Sequence, residues 1–135
     1  MALVTIASDA GVDAGTAAHA PHLAGDLVAG ENLLLMATCY IKASDGKVYM
    51  TNATAAGTET TRLAGICPRA AVAGQAVTLI GAGVRFRYAS GSLTPGAILF
   101  LGATAGRLDT AATTGDAVGA AQAVSDTDVR LTRLI

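Results

Sequence analysis

The chain is predicted to be all-β: a small Gly-turn-rich β-barrel or sandwich with an extended N-terminal arm. Three observations predict it. Short apolar runs of strand length are bounded by turn residues, as in Ala97-Ile98-Leu99-Phe100-Leu101 after Thr94-Pro95-Gly96. Other stretches alternate apolar with polar, as half-buried strands do: Val84-Arg85-Phe86-Arg87-Tyr88 and Val129-Arg130-Leu131-Thr132-Arg133-Leu134. Sixteen glycines punctuate 135 residues, and strands recur at roughly 8–12-residue spacing between them, the spacing of small barrels and sandwiches. That length predicts one domain.

Taken in order, residues 1–24 form the arm and residues 25–135 the body. Leu3-Val4-Thr5-Ile6 has strand character, and the Ala-, Gly- and Asp-rich stretch after it lacks apolar periodicity. Such a peptide suits addition to another protein's sheet, so Leu3, Val4, Thr5 and Ile6 are candidate contacts. The alternative is a frayed terminus. His19 and His22 have no third or fourth ligand nearby, so no metal site is expected there. Leu33 to Lys42 reads as a strand partly buried on both faces, and Lys47 to Thr51 as its return. Asp45-Gly46 between them predicts a type I′ hairpin turn, which needs φ > 0 at both positions. Asn52 to Thr61 is a loop of small residues, and Leu63–Cys67 and Ala76–Ile80 are further strands. In Thr94-Pro95-Gly96, Pro presets φ and Gly takes φ > 0, which predicts a type II turn.

An internal repeat runs through these elements. Tyr40-Ile41-x-Ala43-Ser44-x-Gly46-Lys47-Val48 matches Phe100-Leu101-x-Ala103-Thr104-x-Gly106-Arg107-Leu108. Leu63-Ala64-Gly65-Ile66 matches Ala117-Val118-Gly119-Ala120, and Val77-x-Leu79 matches Val129-x-Leu131. Each half presents a hairpin, a loop, a strand with a central Gly, a spacer and a final strand.

Composition narrows the function. Apolar residues make up 52% and charged residues 14%, which leaves a poorly solvated surface for a lone domain and points to an assembly. The net charge of −1 does not suggest nucleic acid. Residues 1–41 hold four acids and no Lys or Arg, while residues 42–135 hold nine basic residues and six acids. An acidic leading segment and a basic body can meet across subunits; chance in a low-charge chain explains the asymmetry equally well. Cys39 and Cys67 sit in apolar runs and read as small buried hydrophobes, the alternative being a disulfide between them, for which two cysteines in a chain of this size give no framework. The start lacks the basic region of a signal peptide, and the longest apolar stretch, Leu33–Ile41, is too short to span a bilayer. No nucleophile elbow, Walker loop or dinucleotide fingerprint occurs, so neither an enzyme nor a cofactor is expected. Arg85 and Arg87 flank Phe86 on one strand, and with Tyr88 they are candidate interface residues. One such pair without further stacking platforms is a weak nucleic-acid signal.

The motifs in order resemble a family. Gly25-Asp26-Leu27, Asp45-Gly46-Lys47-Val48-Tyr49, Leu63-Ala64-Gly65-Ile66, Ala73-Gly74-Gln75-Ala76-Val77, Leu93-Thr94-Pro95-Gly96 and Val118-Gly119-Ala120-Ala121 are similar to those of the capsid decoration, or cement, proteins of tailed bacteriophages. The resemblance runs from about Gly25 to the end, and its specificity lies in the order of otherwise ordinary motifs. It implies a non-catalytic virion protein, made in the host cytoplasm, that binds the major capsid protein on the outer surface of the expanded head. It further implies a homotrimer at local threefold junctions, with no direct nucleic-acid or membrane contact. The alternative is a β-barrel binding module, such as a phage fibre, adhesin or carrier-type domain. The turn pattern from Gly25 to Leu33, with Lys47 after Asp45-Gly46, looks like that of lipoyl and biotinyl carriers, although the usual residues around a modified Lys are missing.

Overall fold

Two sheets of five strands each make up the computed structural model, which describes residues 27–134 and the backbone of His22–Leu23. The strands are β1 (His22–Leu23), β2 (Ala37–Ile41), β3 (Val48–Met50), β4 (Gly65–Cys67), β5 (Leu79–Ile80), β6 (Arg85–Arg87), β7 (Ile98–Leu101), β8 (Leu108–Asp109), β9 (Ala121–Ala123) and β10 (Asp128–Leu131). A single 3-10 turn, Glu59–Thr61, is the helical content of the described residues. All strand pairs are antiparallel. Neither sheet closes on itself, so the all-β expectation resolves in favour of a sandwich-like arrangement over a barrel. Of the expected arm, residues 1–24, only His22–Leu23 are described, as β1 paired with β5; Leu3, Val4, Thr5 and Ile6 lie outside the described residues.

The first sheet runs β1-β5-β4-β2-β3 and the second β6-β10-β9-β7-β8. These are the same order, with the first five strands replaced by the last five. The chain is therefore a tandem repeat of one five-stranded unit, unit 1 over β1–β5 and unit 2 over β6–β10. Register fixes the equivalences. Tyr40 pairs with Tyr49 as Phe100 pairs with Asp109, so the hairpins superpose at an offset of sixty, as the sequence match predicts. The later matches are displaced. Cys39 faces Gly65 while Leu99 faces Ala121, which makes Gly65 the counterpart of Ala121 and not of Gly119. Ile66 faces Ile80 while Gln122 faces Arg130, so Leu79 corresponds to Val129 and not to Leu131.

Turn chemistry repeats as well. Ala97 N–H donates to Thr94 O at 3.1 Å across Pro95-Gly96, and Gly96 has φ +83°, as a type II turn requires. At the same place in unit 1, Ala37 N–H donates to Leu34 O at 3.2 Å, and Met36 takes φ +58°. The expected strand from Leu33 therefore begins only at Ala37. The hairpin Lys42–Lys47 also differs from expectation. Gly46 has φ +69°, but Asp45 does not share it, so the turn is not type I′. Asp45 instead uses its carboxylate, accepting Lys47 N–H at 2.9 Å and Tyr49 O–H at 2.7 Å.

Unit 1 is buried on both faces because strand alternation sends its side chains into two cores. Ile66, with Ala53 and Leu63, packs on Phe86, Leu99, Leu101, Val129 and Leu131 of unit 2. The opposite face carries Ala37, Cys39, Cys67 and Leu79, covered by Ala29, Leu33 and Val77. Single bridges from Leu33 to Ala71 and from Val28 to Ala76 hold that cover in place.

Candidate functional site

Hairpin 2, Gly102–Arg107, folds its tip onto unit 1. Gly106 N–H donates to Thr51 O at 2.9 Å, and Thr38 N–H donates to Gly106 O at 3.2 Å. Ala53 N–H donates to Gly102 O at 3.0 Å. Gly106 is needed twice over, for φ +72° and for space. A Cβ there would lie 2.7 Å from Met50 Sδ and 3.1 Å from Ala37 Cβ. Beneath the tip, Thr38 and Thr51 are wholly buried and bond to each other through their hydroxyls, which satisfies groups otherwise costly to desolvate.

The corresponding tip of unit 1 is exposed. A Cβ on Gly46 would meet nothing within 4 Å, and its N–H turns inward to Lys42 O at 2.8 Å. Lys42 Nζ lies 4.8 Å from the centroid of the Tyr49 ring, whose hydroxyl holds Asp45. That hydrogen bond pushes Tyr49 up to about 12 and, together with Lys47 N–H, holds Asp45 below the usual carboxylate value. Lys47 stands exposed beside it.

The surface on unit 2 that corresponds to Thr38 and Thr51 is uncovered. Ile98, the counterpart of Thr38, is 55% exposed, and Val118 beside it is 76% exposed. Gly119 packs against Ile98, which places these apolar groups together. Thr110 and Ala111, the counterparts of Met50 and Thr51, are exposed. Ala111 N–H bonds the Asp109 carboxylate at 3.0 Å, whereas Thr51 N–H bonds Thr38 O at 2.9 Å.

The third candidate is the edge strand β6. Arg85 and Arg87 point outward and Phe86 inward, as alternation predicts. Arg85 Nε bonds Asp128 Oδ2 at 2.7 Å and holds that carboxyl below its usual value. Tyr88 is half-buried, and its hydroxyl accepts Leu108 N–H at 2.9 Å. Arg87 and Tyr88 line an open cleft of about 940 Å³ with Leu34, Leu35, Leu93 and Arg107. The structure thus brings Arg87 and Tyr88 to one surface and commits Arg85 to an ion pair.

Two features escape a reading by motif. The buried Asp116 accepts Leu101 N–H at 2.8 Å, Gly119 N–H at 2.9 Å and an Arg133 N–H at 3.1 Å, which compensates its desolvation. The contrast between the two hairpin tips is the other; its one sequence signal is the offset-of-sixty match. Cys39 and Cys67 are free and buried, and burial, with Cys67 nearby, pushes the Cys39 thiol up to about 12. Among the described residues no three His, Cys, Asp or Glu side chains form a group able to hold a metal ion, and no helix is long and apolar enough to cross a membrane. No family model, curated protein or solved structure matches the chain.

Proposed function

We propose that the protein is a structural virion component that binds the outer surface of the mature capsid of a tailed phage, as a homotrimer at local threefold junctions. On this reading it strengthens the head without catalysis. The observation that carries it is exposed apolar surface on a low-charge body, with Leu35 at 66% and Val72 at 56%. Such surface favours being covered by a partner. The ordered Gly-turn motifs that resemble decoration proteins supply the partner's class, the major capsid protein. Three copies joined as one body engage a lattice together, so each contact can be weak.

Sedimentation of purified protein with expanded heads that lack it tests the proposal. The expected result is saturable binding at a fixed ratio to the shell subunit; protein left in the supernatant contradicts it. Deleting residues 1–20 is expected to leave a folded body that binds heads less tightly. Equal binding by the truncated chain contradicts the role given to Leu3, Val4, Thr5 and Ile6.

The cleft beside Arg87 and Tyr88 favours a second reading, a binding module of the fibre, adhesin or carrier type. Saturable binding of a sugar in free solution, or modification of the exposed Lys47, would put that reading ahead.

A further inference from the structure

We propose that two copies of this chain join head to tail, with the free hairpin tip Lys42–Lys47 of one copy seated on the uncovered Ile98–Val118 face of the next. The repeat itself carries the inference. Within one chain, the tip of unit 2 docks on unit 1 through Gly106 and Gly102, against Thr38, Thr51 and Ala53. Among the described residues the reciprocal contact is not made: a Cβ on Gly46 would meet nothing within 4 Å, and Ile98 stays 55% exposed where its counterpart Thr38 is wholly buried. A two-fold arrangement of the units would bury both tips. The arrangement found buries one, and so leaves one unused tip and one unused docking face on every molecule.

Such a contact is heterologous, and its unsatisfied ends belong to each other across copies. The surfaces suit the pairing. The receiving face offers Ile98 and Val118 for burial. In unit 1 the backbone of Thr38 faces the docked tip, donating its N–H to Gly106 O, and Ile98 holds the same register position in unit 2. The free tip is already braced by Tyr49 over Lys42 and against Asp45, so little order is lost when it docks. Closure after three chains would give a ring of six units; any other closing number uses the same contact.

The inference stands on the repeat and does not depend on capsid binding, so its test contains no shell. The Gly106–Met50 contact translates to Gly46 of one copy against Thr110 of the next. Gly46→Cys and Thr110→Cys are made in separate full-length chains, mixed and oxidised; Cys39 and Cys67 are buried and do not compete. The expected result is a disulfide-linked two-chain product about tenfold more abundant in the mixture than with either variant alone, because docking raises the local thiol concentration. Adding Ile98→Arg to the Thr110→Cys chain is expected to abolish that excess. A second pair, Lys42→Cys with Thr113→Cys, follows from the Gly102–Ala53 contact and replaces the first if Gly46→Cys fails to fold. No excess from folded variants, or an excess insensitive to Ile98→Arg, overturns the proposal. Loss of head binding with linkage intact would count against the capsid reading alone.

Discussion

Gly46 and Gly106 occupy the same place in two hairpins and differ in what lies against them. Both have positive φ, at which an L side chain costs roughly 1–2 kcal/mol. Gly106 also sits against Met50 and Ala37, and while the Met50 side chain can swing aside, the Ala37 Cβ cannot. Gly106→Ala is therefore expected to cost on the order of 2–3 kcal/mol, and Gly46→Ala about 1 kcal/mol. Thermal melts of the two variants check this, and equal losses would mean that the second tip is not docked. A pH dependence belongs to Cys39. Its thiol rises from 9.0 to about 12 on burial, so the stability lent by keeping it neutral is fully present below pH 9.0. That stability is lost as pH climbs towards about 12, because the unfolded thiol ionises first. Cys39→Ala should make the fall in denaturation midpoint over this window shallower; an unchanged slope would assign the fall to other groups.

At the scale of elements, Asp116 ties the start of β9 to β7 and to the chain end through Gly119, Leu101 and Arg133. Asp116→Ala would leave buried N–H groups without acceptors, so a loss of about 3–5 kcal/mol is expected in urea unfolding. Asp116→Asn keeps an acceptor oxygen and should lose less. Equal losses would show that the ion pair, and not the hydrogen bonds, dominates. Strand positions were legible because alternation and Gly turns are local: β6 and β7 fall within the expected runs, and β10 overlaps its run from Val129 to Leu131. The false start at Leu33 has a physical cause. Met36 takes the left-handed conformation that Gly96 takes in unit 2, and a Met gives no warning of it. β1 was missed because two residues, His22–Leu23, have no pattern of their own and gain strand structure only by pairing with β5. The repeat was legible in the hairpins, where turn length is the same. It slipped by two residues beyond them, because Gly65 and Gly119 look alike but occupy different register positions.

At the scale of the molecule, the described residues form one β unit built twice, with one hairpin-tip contact made between the units and, among those residues, its reciprocal left open. Arg85 and Arg87 could be picked from sequence because alternation exposes them, whereas Tyr88 falls on the inward side with Phe86 and is half-buried against the core. The tip and its receiving face could not, since their meaning depends on which copy of the repeat is covered. For the proposed role, linkage sets the scale. A ligand that binds intact heads and not broken ones adds about 2.7 kcal/mol per site at a hundredfold excess over Kd. Summed over a lattice, this exceeds any single contact, so loss of the whole protein should matter far more than one surface substitution. The most direct measurement compares the DNA-release temperature of phage heads with the protein, without it, and with purified protein added back. Heads lacking it are expected to assemble, to release DNA at a lower temperature, and to recover on add-back. Equal release temperatures, or no recovery, would contradict a head-stabilising function.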